Sequence, residues 1–216
     1  MRFKRPENFE QIAMDGWITL SPGESCCLAV DTPARPSVEE LHIKMRHVRG
    51  MVLSAGFTIE NNLVLVQLAD KFGTTDRTHG GEDFAKYEEY LRAETTGIER
   101  RLKGAKDIIR RVLGKPEGDK TVQDMSEYRR LRHLCAHRPC WLEGIWEPDA
   151  GIDANFPKGR TTGFRLFIAD SEFIWEIDDH QVEEWVTLLN RTAAAADKAL
   201  RIILESKNPK TIHAAQ

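Results

Sequence analysis

Arginines and histidines are concentrated in one short stretch of the chain, which reads Arg129-Arg130-Leu131-Arg132-His133-Leu134-Cys135-Ala136-His137-Arg138-Pro139. On a helix, His133 and His137 lie one turn apart on the same face, while Leu131 and Leu134 supply an apolar side for packing. A guanidinium stays charged and suits phosphate groups, whereas an imidazole titrates near neutral pH and transfers protons. Together these residue types indicate chemistry on a phosphodiester.

The spacing of Arg132, His133 and His137 resembles the signature of the HEPN superfamily. That signature is an arginine, a polar residue, three more residues and a histidine near the end of a helix. HEPN domains are helical bundles, commonly dimeric, and many are metal-independent endoribonucleases whose arginines and histidines meet across the dimer interface. The resemblance therefore implies an RNA substrate, a homodimer, no cofactor, and catalytic roles for Arg132, His133 and His137.

The chemistry of metal-independent RNA cleavage assigns a role to each of these residues. The 2′-hydroxyl must lose a proton as it attacks phosphorus, and the leaving 5′-oxygen must gain one, so His137 is the predicted acid/base group. Arg132 is the predicted clamp on the phosphate oxygens, and His133 is an orienting or second proton-handling group. The products would carry 2′,3′-cyclic phosphate and 5′-hydroxyl ends. The neighbouring arginines are predicted to bind RNA: Arg129, Arg130 and Arg138.

Other readings of the same residues stay open. Arg132 can pair with an acid, and both Arg132 and His137 favour the negative end of a helix whatever the function. Some family members have lost catalysis, so the alternative function is a non-catalytic module that binds RNA, a nucleotide or a partner protein. A toxin or phage-defence role with a restraining antitoxin or regulatory protein is the biological expectation. Some HEPN toxins carry a tyrosine two residues after the histidine; Pro139 stands there, so regulation by modification of that tyrosine is not expected.

Zinc competes for the same histidines, because their i, i+4 spacing can place two imidazoles on one ion. Cys135 points away from that face of the helix, however, and no CxxC pair or downstream histidine completes a tetrahedral set. The sequence therefore predicts no metal site. Cys26 and Cys27 lie in a strand-like run and are predicted to pack rather than to act as nucleophiles.

Size, composition and charge bound the remaining classes. The 216 residues suffice for one substantial core, and no apolar run approaches the roughly 20 residues that span a bilayer, so no membrane association is expected. No signal-peptide stretch follows the N-terminal charges, which predicts a cytoplasmic protein. The net charge is −3, yet residues 97–138 contain 12 Lys/Arg against 6 Asp/Glu. This contrast indicates either a basic surface beside the proposed site or a solvated helix face.

The pattern of the chain divides it into an N-terminal extension (1–36), a HEPN-like helical domain (37–206) and a C-terminal tail (207–216). Two short strands around a turn, 17–20 and 25–30, are expected in the extension as an N-terminal β element. Ser37 and Glu40 have the spacing of a capping box that opens a helix. Gly56 is expected to end that helix, and a second helix over 58–72 would form an antiparallel hairpin with it.

Helical spacing continues through the rest of the domain. Helices are predicted over 84–91, 97–113 and 178–206, and the motif helix is expected from Thr121 to His137. Aromatic and branched residues in 141–146 and 163–177 predict a β-hairpin. The predicted fold class is mostly α: a HEPN-like helical bundle with a small β-hairpin insertion.

Overall fold

The computed structural model describes residues 2–4, 18–20, 36–75, 84–93, 97–148 and 159–207. The helices within these ranges are α1 (Val38–Phe72), α2 (Phe84–Ala93), α3 (Ile98–Leu113), α4 (Lys115–His137) and α5 (Asp179–Lys207). The strands are β1 (Arg2–Lys4), β2 (Ile18–Leu20), β3 (Cys140–Pro148), β4 (Gly159–Ala169) and β5 (Phe173–Glu176). The described part of the chain is mostly helical with a small antiparallel sheet, so the predicted mostly α class is confirmed.

The strands form one antiparallel sheet in the order β1-β5-β4-β3-β2. The predicted hairpin is its centre, where β3 pairs with β4 over the whole length of β3 and Trp141 lies opposite Phe167. The segment predicted as one second strand is two, because Asp170 accepts hydrogen bonds from the backbone N–H groups of Glu172 and Phe173 and closes a turn between β4 and β5. Both edge strands, β1 and β2, come from the N-terminal extension. Strand β2 matches the predicted strand 17–20, whereas β1 was not predicted. The other predicted strand, 25–30, lies outside the described residues.

The chain divides into two compact units. The first unit comprises Met1–Met51 and His133–Trp185 and contains the sheet, and the second comprises Val52–Arg132 and Val186–Gln216 and is built from helices. The boundaries fall within α1, α4 and α5, so each of these helices contributes residues to both units.

Helix α1 begins as the sequence predicts and ends later. The capping box forms, since the Ser37 N–H donates to Glu40 Oε2 at 2.7 Å and the Glu40 N–H donates to Ser37 Oγ at 3.2 Å. The predicted break at Gly56 is wrong, because one helix of 35 residues runs without interruption from Val38 to Phe72. No helical hairpin forms there. Gly56 is instead buried against Tyr128, whose hydroxyl would lie 2.7 Å from a Cβ at position 56. The glycine permits close packing between α1 and α4.

Helix α4 begins at Lys115, six residues before the predicted start at Thr121. The segment 114–120 lies between the predicted helices 97–113 and 121–137, but in the structure its Gly118 lies inside α4. A Cβ on Gly118 would lie 2.6 Å from the Cα of Arg110 in α3. As at Gly56, the missing side chain allows two helices to approach, and the positive φ of 79° falls on Gly114 between α3 and α4.

Each unit has its own apolar core. In the first unit, the Trp141 and Phe167 rings stack with their centroids 6.0 Å apart, and Ala169 and Ile174 complete the cluster. In the second unit, side chains from α1, α3, α4 and α5 are fully or almost fully buried, among them Leu63, Ile109, Met125, Tyr128 and Leu189. Burial on this scale fixes the helices that carry the candidate site.

By length and composition, α1 meets the criterion for a helix that could cross a membrane. Half of its most apolar window is buried inside the protein, as is also found in core helices of soluble proteins. The expectation of no membrane association therefore stays a prediction.

Candidate functional site

The two histidines of the motif are exposed at the C-terminal end of α4, in the first unit. Their rings are adjacent, with centroids 5.1 Å apart and planes inclined by 52°. Leu134 and Cys135, from the same turns, are 1% and 2% exposed and anchor this end of the helix. One side of the turn is therefore buried while the other offers two imidazoles to solvent. Each ring can donate or accept a proton there.

Arg132 precedes the histidines on α4 and belongs to the second unit. Its Nε lies 2.6 Å from Oε1 of Glu60, a residue of α1 whose side chain is only 9% exposed. The Arg132 side chain itself keeps 32% of its surface exposed. The reading that Arg132 pairs with an acid is therefore realised in the structure, and it coexists with partial access to solvent.

Glu60 has two further partners. Arg101 Nη1 donates to Glu60 Oε2 at 2.8 Å, and the Tyr128 hydroxyl donates to Glu60 Oε1 at 2.8 Å. Burial, followed by the hydrogen bond to Glu60, raises the pKa of Tyr128 far above its usual value, so the phenol stays a neutral donor. One carboxylate thus meets two guanidiniums. We call these four residues, Glu60, Arg101, Tyr128 and Arg132, the Glu60 cluster.

Sequence reasoning missed Glu60, although a signal for it exists. Glu60 is the single charged residue between Met51 and Ala69. Burying a charge in so apolar a helix costs free energy unless the charge is paired and hydrogen-bonded, so the sequence alone predicts a cationic partner for Glu60. On α4, Tyr128 and Arg132 are one turn apart and meet that demand together.

The arginines predicted to bind RNA differ in their surroundings. Arg129 is exposed and forms an ion pair with Glu99. Arg130 is half-buried and is engaged in interactions of its own. Arg138 is half-buried, and its Nε is buried with no hydrogen-bond partner among the described residues. Its carbonyl oxygen accepts a hydrogen bond from Arg49 Nη2 at 2.7 Å. Of the three, Arg129 is the most accessible to a polyanion.

Acids from outside residues 97–138 balance part of the basic segment. Arg101 pairs with Glu60, and Arg111 Nη2 lies 2.5 Å from Asp70 Oδ1. A basic surface in this segment would therefore have to come from its remaining cations, among which Lys103 is exposed on α3.

The cysteines near the motif are buried thiols. Burial raises the pKa of Cys135 to about 12, and the charge of Arg49 opposes this only in part. Burial also raises the pKa of Cys140. Cys26 and Cys27 lie outside the described residues. Within the ranges that the structure describes, no three side chains of His, Cys, Asp or Glu converge as a metal site would require.

Cys135 is expected to resist alkylation in the folded protein. The thiolate is the nucleophile, and a pKa raised from 9.0 to about 12 lowers the thiolate fraction about 10³-fold. Peptide mass spectrometry after iodoacetamide treatment at neutral pH should therefore find Cys135 unmodified in native protein and modified in urea. Equal rates in the two states would mean that the thiol is accessible and ionised, and would reopen a role for it as nucleophile.

No model of a protein family matches the chain, no curated protein matches its sequence, and no solved structure matches its fold.

Proposed function

We propose that this protein is a metal-independent endoribonuclease of HEPN type, acting in the cytoplasm in a toxin or phage-defence role. The observation that carries the proposal is the pair of adjacent, exposed imidazoles of His133 and His137, on the helix that also bears Arg132. Two imidazoles supply the two proton transfers that phosphodiester cleavage needs. The partly exposed guanidinium of Arg132 supplies an electrostatic partner for phosphate.

In the proposed reaction, one imidazole accepts the 2′-hydroxyl proton as the 2′-oxygen forms its bond to phosphorus. As the bond from phosphorus to the 5′-oxygen breaks, the other imidazole donates a proton to that oxygen. His137, the imidazole nearer the helix end, is assigned to one of these two transfers. Negative charge grows on the non-bridging oxygens meanwhile, and the guanidinium of Arg132 stabilises it more in the transition state than in the ground state. The products are a 2′,3′-cyclic phosphate and a 5′-hydroxyl.

A homodimer is part of the proposal. One helix end offers few groups, whereas a two-fold axis doubles them and gathers two copies of Arg132 and His137 in one cleft. A protein that sediments as a monomer at concentrations where it cleaves RNA would remove this part of the proposal.

The test is cleavage of total RNA and tRNA by the purified protein in excess EDTA, with Arg132→Ala prepared in parallel. We expect cleavage that EDTA leaves unchanged and 2′,3′-cyclic phosphate ends, because no step uses a metal. The Arg132→Ala preparation controls for contaminating ribonucleases, which would cleave in both samples. Cleavage abolished by EDTA, or 3′-hydroxyl ends, would contradict the proposed mechanism.

The second candidate is a non-catalytic module that binds RNA, a nucleotide or a partner protein through the same helix. The ion pair between Arg132 and Glu60 favours it, since that pair gives the arginine a structural reason to be there. A module of this kind would bind labelled RNA without cleaving it, in the same samples and buffers. Binding with no product on extended incubation would decide for the module.

A further inference from the structure

Glu60 lies on α1, far from the motif in sequence, yet its carboxylate meets Arg132 within the second unit. We infer that Glu60 is the positioning residue of the proposed nuclease: its carboxylate holds Arg132 through Nε, so that the two Nη groups are left to face the scissile phosphate. This inference rests on the proposed function and assigns a task to residues that the motif does not contain.

The orientation follows from the shape of a guanidinium. The group is planar and has five N–H donors in a fixed fork, one on Nε and four on the two Nη atoms. With Nε held 2.6 Å from Glu60 Oε1, rotation of the Arg132 guanidinium plane is restricted, and the N–H donors of the two Nη atoms at the tip of the fork are left for a phosphate. A fork with a fixed plane loses less entropy when it grips two phosphate oxygens than a freely rotating one.

Glu60 is itself held firmly enough to do this. Its Oε2 is bonded by Arg101 and its Oε1 by Tyr128, each at 2.8 Å, and its side chain is 9% exposed. Tyr128 is fully buried and packs on Gly56, one turn before Glu60 on α1. The carboxylate therefore has little freedom to follow Arg132 if that side chain moves.

Arg132 also keeps access to solvent. Within the cluster two guanidiniums face one carboxylate, and Arg101 Nη1 already donates to Glu60 Oε2. Arg132 keeps 32% of its side chain exposed, so its guanidinium can reach a ligand at the surface. By comparison, the ion pair of Asp124 on α4 with Arg191 on α5 contains one cation for one anion.

The test compares Glu60→Gln with Asp124→Asn in the 216-residue chain. Both changes remove the charge of a carboxylate on which an arginine is bonded, and Asp124 is 10% exposed and held by Arg191 through two contacts of 2.5 and 2.6 Å. We expect Glu60→Gln to lower kcat for RNA cleavage about tenfold with little change in KM, since a misplacement of about 1 Å costs up to ~10²-fold. Asp124→Asn should keep the wild-type kcat. Glu60→Asp, which retains the charge, serves if Glu60→Gln fails to fold.

A second readout follows the positioning without RNA. The side-chain Nε–H of Arg132, assigned in ¹H–¹⁵N spectra by its loss in Arg132→Lys, should be a resolved signal that exchanges slowly with water. Glu60→Gln or Glu60→Asp should shift or broaden it, whereas Asp124→Asn should leave it in place.

The outcomes separate the inference from the function on which it rests. If the wild type cleaves RNA and the Glu60 variants keep its kcat or exceed it, the inference is overturned and Glu60 is a structural partner or a restraint. If the wild type cleaves no RNA, the proposed function fails, and the Nε–H signal still decides whether Glu60 holds Arg132. An Nε–H signal indifferent to the Glu60 variants overturns the positioning itself.

Discussion

Replacement of His137 by alanine is expected to lower the rate of RNA cleavage by about 10²- to 10⁴-fold, the usual contribution of a positioned acid–base group. The side chain is exposed at the end of α4, so its removal leaves no cavity in the core. The free energy of unfolding should therefore stay close to the wild-type value. The measurement is single-turnover cleavage of a defined RNA, with urea unfolding of the same preparations.

His180→Ala is the matched control for this experiment. His180 is a histidine whose side chain is 75% exposed near the start of α5, and its Nε2 lies 3.6 Å from Glu184. Losing an exposed imidazole there should leave cleavage at the wild-type rate. Equal losses in the two variants would show that the effect is not specific to the motif.

Added imidazole distinguishes a proton-transfer role from a structural one. The place that His137 occupies is open to solvent, so free imidazole can reach it in the His137→Ala variant. Partial recovery of the cleavage rate, absent in His180→Ala, is the expected result. His133→Ala should lose less activity than His137→Ala if His133 orients its neighbour rather than transferring a proton. Wild-type activity in His137→Ala would exclude that residue from the chemistry.

Local signals in the sequence predicted the local structure. The capping box at Ser37 and Glu40 opens α1 as expected, and the apolar periodicity of 178–206 matches α5 within one residue at each end. These features depend on residues three or four apart, which the sequence displays directly. The adjacency of His133 and His137 belongs to the same class, because helical spacing alone brings the rings together.

The predictions were wrong where the structure around a residue depends on a partner that is distant in the sequence. The sequence predicts a helix end at Gly56 and leaves Gly118 between two predicted helices, in keeping with the low helix propensity of glycine. In the structure, each glycine lies inside a helix where a second helix approaches closely. Strand β1 pairs with β5, so Phe3 lies opposite Ile174. No pattern in the sequence near the N-terminus predicts that pairing. Glu60 on α1 and Arg132 on α4 are 72 positions apart in the sequence. This ion pair could be identified only from the fold, although the isolated charge of Glu60 in α1 indicated that a cationic partner exists.

Gly56→Ala is expected to destabilise the protein by about 1–3 kcal/mol, the usual cost of overpacking a close contact. A Cβ at position 56 would lie 2.7 Å from the Tyr128 hydroxyl, closer than such atoms approach, and Tyr128 is fully buried and unable to swing into solvent. The clash must outweigh the gain in helix propensity, which is roughly 1 kcal/mol for alanine over glycine. Urea unfolding followed by far-UV circular dichroism measures the difference.

Gly50→Ala supplies the control on the same helix. Gly50 is exposed, and beyond its own helix turns no described atom lies within 4 Å of a Cβ placed there, so the substitution should stabilise the protein by up to about 1 kcal/mol. Opposite signs at positions 50 and 56 would separate packing from propensity, whereas stabilisation at both would mean that Tyr128 yields easily. Because Tyr128 also bonds Glu60, Gly56→Ala should broaden the Arg132 Nε–H signal as well. Broadening of this signal would show that the packing of α1 on α4 affects the position of Arg132 in the proposed site.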